Sequence, residues 1–417
     1  MYPIIESRES QAMLADRFAA VRRLSESIVE SLETEDLTIQ AMADVSPPKW
    51  HLGHTTWFFD EFVLAPFTRY EPFLSGSSQI FNSYYESVGS RVARVARGHL
   101  SRPTVREILE YRRRVTEGVL ELLQKPIDAN TESILTRIEI GIHHEQQHQE
   151  LLYTDLKYNL FQNYNPPGYT TLKQTQGQVS SMNWQSISGG VVEIGARSGF
   201  AYDNECPAHR VFLEDFSLAD RLVTNSEFLA FMEEGGYAKF QYWLSDGWDL
   251  VKKNEWDAPL YWIKKNGDWF EYTLGGFRPL ELNAPVTHVS FHEANAFAAW
   301  SDARLPTEFE WEHASSMAGV IANFLDTGKL HPQIASGQGI RQMFGDVWEW
   351  TSSAYLPYPG FQPLAGALGE YNGKFMNDQR VLRGGSCVTS SSPFRSTYRH
   401  LFQGDKRWQF TGIRLAR

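Results

Sequence analysis

The chain has 417 residues, 42% hydrophobic and 21% charged. That length exceeds one ordinary hydrophobic core and that mixture is globular, so two or more domains are expected and disorder is excluded. A balance of 39 basic against 50 acidic residues leaves −11, with no basic tract beyond Arg112-Arg113-Arg114, which excludes the concentrated positive surface that nucleic acid requires. No apolar run approaches the roughly 20 residues that span a bilayer. Met1 to Ser10 holds Glu6, Arg8 and Glu9 where a secretory leader needs an apolar stretch. Two cysteines, Cys206 and Cys387, are too few for a disulfide framework or a cysteine-rich zinc site. The expectation is a soluble, cytoplasmic protein without nucleic-acid or membrane partners. Aromatic residues, at 14%, suit small cores and pockets walled by rings.

Taken in chain order, the first part is helical. Gln11 to Glu33 places Met13, Leu14, Phe18, Val21, Leu24, Ile28 and Leu32 at the three-and-four spacing of one buried face. A second helix is expected from Lys49 to Phe62, behind Ser46-Pro47-Pro48, because proline suits a helix start. A third runs from Thr104 to Leu123, with Thr104 as N-cap and Glu107 as its capping-box partner. A fourth runs from Thr131 to Tyr158. Four amphipathic helices with one long connection, Ala65 to Pro103, predict a four-helix bundle over residues 1–163. Residues 164–184, with Pro166-Pro167-Gly168 and then a polar run, read as a linker or an arm laid over the surface. Residues 185–417 show short β-like runs (Val191 to Ile194, Val211 to Leu213, Arg380 to Leu382) and two short helical stretches, Asn225 to Met232 and Phe291 to Ser301. This is the pattern of an α+β domain rich in irregular structure.

The sharpest local feature is His143-His144-Glu145-Gln146-Gln147-His148 on the fourth helix. His144 and His148 stand at i and i+4, so both rings leave one face and can grip one ion. His51 and His54 on the second helix offer an i, i+3 pair, and bundles build metal sites from inward faces of different helices. Three readings follow from the residues. The histidines are satisfied core or surface residues; or His144-Glu145-Gln146-Gln147-His148 is the H-E-x-x-H of zinc hydrolases with Glu145 as general base; or three histidines form an iron centre with positions open for O2 and a sulfur ligand. Helical spacing leaves all three open.

Trp50-His51-Leu52-Gly53-His54-Thr55-Thr56-Trp57, Phe81-Asn82-Ser83-Tyr84-Tyr85-Glu86 and His144-Glu145-Gln146-Gln147-His148 together resemble the ergothioneine-synthesising sulfoxide synthases. Those enzymes fuse a DinB-like four-helix bundle to a formylglycine-generating-enzyme-like domain of C-type-lectin type. The second half agrees through Asp203-Asn204-Glu205, Pro207-Ala208-His209-Arg210-Val211, Arg304-Leu305-Pro306-Thr307-Glu308, Gly345-Asp346-Val347-Trp348-Glu349-Trp350 and Arg383-Gly384-Gly385-Ser386. True formylglycine-generating enzymes carry two copper-binding cysteines just after the Gly-Gly-Ser motif; Thr389 and Phe394 stand at those spacings here. The second domain is therefore expected as a borrowed fold, its Gly345 to Trp350 and Arg383 to Ser386 motifs serving core and turns.

The resemblance implies Fe(II) held by His54, His144 and His148, with His51 a structural neighbour, and O2 as co-substrate. It implies coupling of a thiol to C2 of the imidazole of hercynine (Nα-trimethylhistidine) to give a sulfoxide. The Tyr84-Tyr85 pair is similar to that of the branch using free cysteine, another branch using γ-glutamylcysteine; one phenol, Tyr85 by preference, would give a proton during the oxidation. Arg91, Arg94 and Arg97 are candidates to clamp carboxylates, Arg94 first among them. Gln147 offers an amide to the histidine-derived substrate, and Phe402 an aromatic face for the trimethylammonium group. The bundle would supply metal and the second domain substrate walls. Three alternatives are a selenoneine synthase using a seleno-sugar, a zinc hydrolase using Glu145, and a non-catalytic metal-binding module.

Overall fold

A computed structural model describes residues 11–417 apart from 70, 127, 174–176, 320, 364–366 and 371, so the leader reading of Met1 to Ser10 and part of the linker lie outside the described residues. The described residues divide into two compact units, one drawn from 11–169 and 367–370, the other from 170–363 and 372–417. Among the described residues no helix is long and apolar enough to cross a membrane.

The first unit is a four-helix bundle of α1 (Gln11–Val29), α2 (Pro48–Phe59), α3 (Val105–Leu123) and α4 (Thr131–Phe161). α1 and α2 each pack on both α3 and α4. α1 buries Leu14, Phe18, Val21 and Ile28 as its spacing requires, but Met13 is exposed and Arg22 and Ser25 complete the buried stripe. The reason is across the bundle. Glu145 of α4 is wholly buried, and accepts hydrogen bonds from Arg22 Nη1 at 2.9 Å, Ser25 Oγ at 2.6 Å and Arg112 Nη2 of α3. α1 also stops at Val29, four residues before Glu33, where the chain turns and the Glu33 N–H donates to Asp36 Oδ2.

α2 begins behind Pro47 with Pro48 in its first turn, and all twelve of its residues are buried, so it shows no polar face. The expected continuation to Phe62 is present but not α-helical: Asp60–Leu64 is a π-helical turn, which re-aims the side chains that follow. α3 carries the expected capping box, Thr104 Oγ1 accepting from the Glu107 N–H and Glu107 from the Thr104 N–H. Gly53 and Gly141 let rings close on the helices: a Cβ on Gly53 would lie 2.1 Å from Phe81, and one on Gly141 2.4 Å from Phe59.

The second unit is built of short helices and small sheets, antiparallel throughout except for one strand pair in the largest of them. β1 (Trp184–Ile187) pairs with β4 (Phe216–Ala219), and β2 (Gly190–Ile194) with β3 (His209–Leu213). β5 (Trp262–Lys265), β6 (Asp268–Thr273) and β7 (Gly276–Pro279) form a meander that the residue pattern did not announce. The largest sheet has the order β10-β9-β8-β11, from β8 (Trp348–Ala354), β9 (Gln379–Arg383), β10 (His400–Gln403) and β11 (Thr411–Gly412), with β11 parallel to β8. Asn225–Glu233 and Phe291–Trp300 are the expected helices, each with a capping box; Ser245–Asn254 and Glu308–Ser315 are additional. Buried arginine–glutamate pairs, Arg414–Glu349, Arg399–Glu308 and Arg383–Glu312, tie the loop-rich core together. The Gly345 to Trp350 and Arg383 to Ser386 motifs are core and turns: Trp348 and Trp350 are buried, and Gly384 and Gly385 take positive φ angles of 101° and 78°. From Thr170 onward the polar segment is an arm on this unit, its N–H donating to Leu274 O, its Gly177 and Ser180 carbonyls accepting from Asn283 and Arg221.

Replacing Glu145 by Gln should destabilise the bundle by about 3–5 kcal/mol, because two buried guanidinium groups lose their counter-charge. Denaturant unfolding of the full chain measures this, and a loss below about 1 kcal/mol would show that the ion cluster does not hold the bundle together.

Candidate metal centre

α2 and α4 present four histidines to one another. The His54 and His144 Nε2 atoms lie 3.1 Å apart, and the His148 ring centroid is 4.6 Å from that of His54 and 4.7 Å from that of His144. One ligand atom from each of His54, His144 and His148 falls within 4.8 Å of the others. His54 and His144 are buried and His148 half-buried.

The hydrogen bonds show which nitrogens are available. His54 Nδ1 lies 2.6 Å from the Phe81 carbonyl, which can only accept, so Nδ1 carries the proton and Nε2 faces His144 with its lone pair. Gly53 permits this, since Phe81 packs where its Cβ would be. Burial holds His54 and His148 well below the ordinary histidine range and His144 down to about 3, which keeps the imidazoles neutral and able to ligate. Two nitrogens bound at about 2.1 Å to one ion and at right angles would be about 3.0 Å apart, close to the 3.1 Å seen here. The residues fit a divalent cation on an all-imidazole face. His51 is placed differently: its Nδ1 is 2.9 Å from His148 Nδ1 and its Nε2 3.0 Å from Asp155 Oδ2, so both ring nitrogens are already engaged, one by a triad histidine and one by a carboxylate.

Rings wall the cluster. Trp50 stacks on His54 at 4.6 Å and 11°, Trp57 flanks His54 at 5.7 Å, and Phe58 lies 4.7 Å from His144. Tyr85, fully buried, packs against Trp57 and against Phe62 of the π-helical turn, one ring removed from His54. Tyr84 lies beside it, the hydroxyls 3.5 Å apart. Burial pushes the Tyr85 phenol up, so it keeps its proton. Asn82 fixes the turn, exchanging hydrogen bonds with the Tyr85 N–H and carbonyl, and Glu370 accepts from the Glu86 and Ser87 N–H groups just after the pair.

Of the three arginines in the following loop, Arg91 pairs with Glu86 at 2.5 Å and Arg94 is exposed, whereas Arg97 is the buried one. Its guanidinium lies 3.4 Å from the Trp50 ring centroid and donates to Ser46 and Ser83. Burial and the neighbouring Arg94 charge bring its pKa down to about 8. Gln147 is half-buried, next to His148 in α4. Phe402 belongs to the second unit, half-buried in β10 between His400 and Trp408. Glu145 turns away from the triad into Arg22 and Arg112; burial alone would raise its pKa, but the two guanidiniums overcome that and hold the carboxyl at about 2. Spoken for in this way, it is no general base. Asp155 and Glu370 were missed because nothing local marks them: their partners are 104 and 284 positions away.

Residues 17–152 match the DinB superfamily, and residues 170–336 and 328–417 match the sulfatase-modifying factor enzyme 1-like domain. The chain is 30% identical over 407 residues to a hercynine oxygenase of Mycolicibacterium thermoresistibile, covering 89% of this chain and 87% of that one. A hercynine oxygenase of Mycolicibacterium smegmatis is 36% identical over 240 residues, covering 51% and 55%. A formylglycine-generating enzyme of Streptomyces coelicolor is 29% identical over 266 residues, covering 53% and 81%. The order of the two domains and the near-complete match to the first relative place the chain in the hercynine oxygenase family.

Proposed function

We propose that the chain is an O2-dependent iron(II) sulfoxide synthase of ergothioneine biosynthesis, joining the sulfur of a thiol, cysteine before γ-glutamylcysteine, to C2 of the hercynine imidazole. The observation that carries this reading is the convergence of three imidazoles, His54, His144 and His148, in a chain with this family's full domain order. The balance needs one O2 per turnover: the S–H and C2–H bonds break, C–S and S–O bonds form, and the second oxygen leaves as water. Bound at the triad, Fe(II) supplies the Lewis acidity that deprotonates the thiol and the electrons that engage O2.

The protein's own groups do the rest. Tyr85 holds a proton in a dry aromatic pocket, with Tyr84 in hydroxyl reach of it. Trp57, Phe58 and Phe62 exclude water on that side. Arg94 and Arg91 are proposed to take the substrate carboxylates, Gln147 the imidazole edge, and Phe402 the trimethylammonium group, which lacks donors and needs an aromatic face. Zinc hydrolysis is disfavoured because Glu145 is sequestered by Arg22 and Arg112. Selenoneine formation differs only in the donor.

Anaerobic protein given Fe(II), hercynine and cysteine, γ-glutamylcysteine or a seleno-sugar, then O2, should yield the cysteine-derived sulfoxide as the dominant product by mass. Dominant product from the seleno-sugar would reassign the donor, and product from Zn(II) without O2 would end the oxygenase reading. His54→Ala, His144→Ala and His148→Ala should each abolish turnover and iron retention. Tyr85→Phe should leave hercynine affinity within about twofold and lower the ratio of coupled sulfoxide to cysteine sulfinic acid by about a hundredfold, the low end of what a positioned proton donor contributes. An unchanged ratio in Tyr84→Phe, Tyr85→Phe and the double variant would reduce both phenols to packing.

A further inference from the structure

His51 and Asp155 extend from the triad through His148. His144, His148 and Asp155 follow one another along α4, Asp155 two turns beyond His148, and His51 of α2 reaches between the last two. His51 and Asp155 are nearly sealed from solvent, at 3% and 4% side-chain exposure.

The direction of each hydrogen bond follows from the end of the chain. Asp155 Oδ2 accepts the Ser46 N–H at 2.8 Å and lies 3.0 Å from His51 Nε2. A carboxylate only accepts, so His51 Nε2 carries the hydrogen. In neutral His51 the other nitrogen, Nδ1, is then an acceptor, and the His148 Nδ1 facing it at 2.9 Å must donate. That leaves the proton of His148 on Nδ1 and a bare lone pair on Nε2. A metal-ligating histidine is held in the same way by an oxygen acceptor on its second nitrogen, which sets both tautomer and ring angle. Here a histidine is interposed and the carboxylate acts one residue further out.

We propose that Asp155 and His51 form a two-member relay that fixes His148 as an Nε2 ligand, His51 being a positioning residue and not a fourth ligand. The proposal rests on the metal reading of the triad, and its test separates the two. Histidine-labelled, metal-free full-length protein should show, by nitrogen NMR, His148 protonated at Nδ1 and bare at Nε2. In His51→Leu, which has neither donor nor acceptor, His148 should move to the Nε2–H form, and Fe(II) affinity by anaerobic chelator competition should fall about 10–100-fold. His51→Gln keeps an amide oxygen for His148 and an amide N–H for Asp155, and should stay within about threefold of wild type, which loss of packing alone would not produce. Asp155→Asn should fall between them.

An Nε2–H His148 or a doubly protonated His51 in the wild-type protein overturns the relay. So does a Leu variant that binds Fe(II) as tightly as wild type, or a Gln variant as weak as Leu. If His51→Leu does not fold, the wild-type tautomer and the Gln and Asn variants decide. Wild-type protein that binds no more Fe(II) than His54→Ala overturns the metal reading instead, and leaves the relay to the tautomer measurement.

Discussion

The buried carboxylate of Glu145, caught between the guanidiniums of Arg22 and Arg112, sets the rotation of α4 about its axis. One charge touching α1 and α3 at once leaves that helix no freedom to turn, because an uncompensated ion in this interior would cost several kcal/mol. With Glu145 pinned on one side, His144 and His148 are delivered to the other, towards α2. The residue that makes the motif look like a hydrolase is thus the residue that aims His144 and His148.

α2 answers with a helix buried on every side, so it has to be positioned by shape. Gly53 and Gly141 let Phe81 and Phe59 close in, and the Phe81 carbonyl that arrives by this route fixes the tautomer of His54. The π-helical turn at Asp60–Leu64 ends the helix at the place where Phe62 must turn to meet Tyr85. The geometry of the histidine triad and the tyrosine wall therefore share the same packing contacts. Neutral imidazoles follow from the same burial, since a dry site penalises a charged ring.

Much of this was legible in the residues. Histidines at i, i+3 and i, i+4 on two helices encode a shared face, and the Thr104–Glu107 box marks a helix start that the structure reproduces. What was not legible depends on distance along the chain. Met13 fits the apolar spacing of α1 yet is exposed, because Arg22 and Ser25 take the inner stripe to reach Glu145, more than a hundred positions away. Arg91, Arg94 and Arg97 look equivalent in sequence, and only the fold shows that Arg97 is the one stacked on Trp50. Asp155 and Glu370 carry no local signal at all. The meander β5–β7 escaped because its strands are four to six residues long and its burial does not alternate.

The central claim is that three imidazoles, and not four, gather one ferrous ion. X-ray absorption at the iron edge of the anaerobically loaded full chain tests it directly. The account predicts a shell of light atoms at about 2.1 Å with the outer-ring scattering of three imidazoles, and a sulfur neighbour on adding cysteine. Scattering from four imidazoles would make His51 a ligand, and fewer than three, or no sulfur on addition of the thiol, would contradict the account.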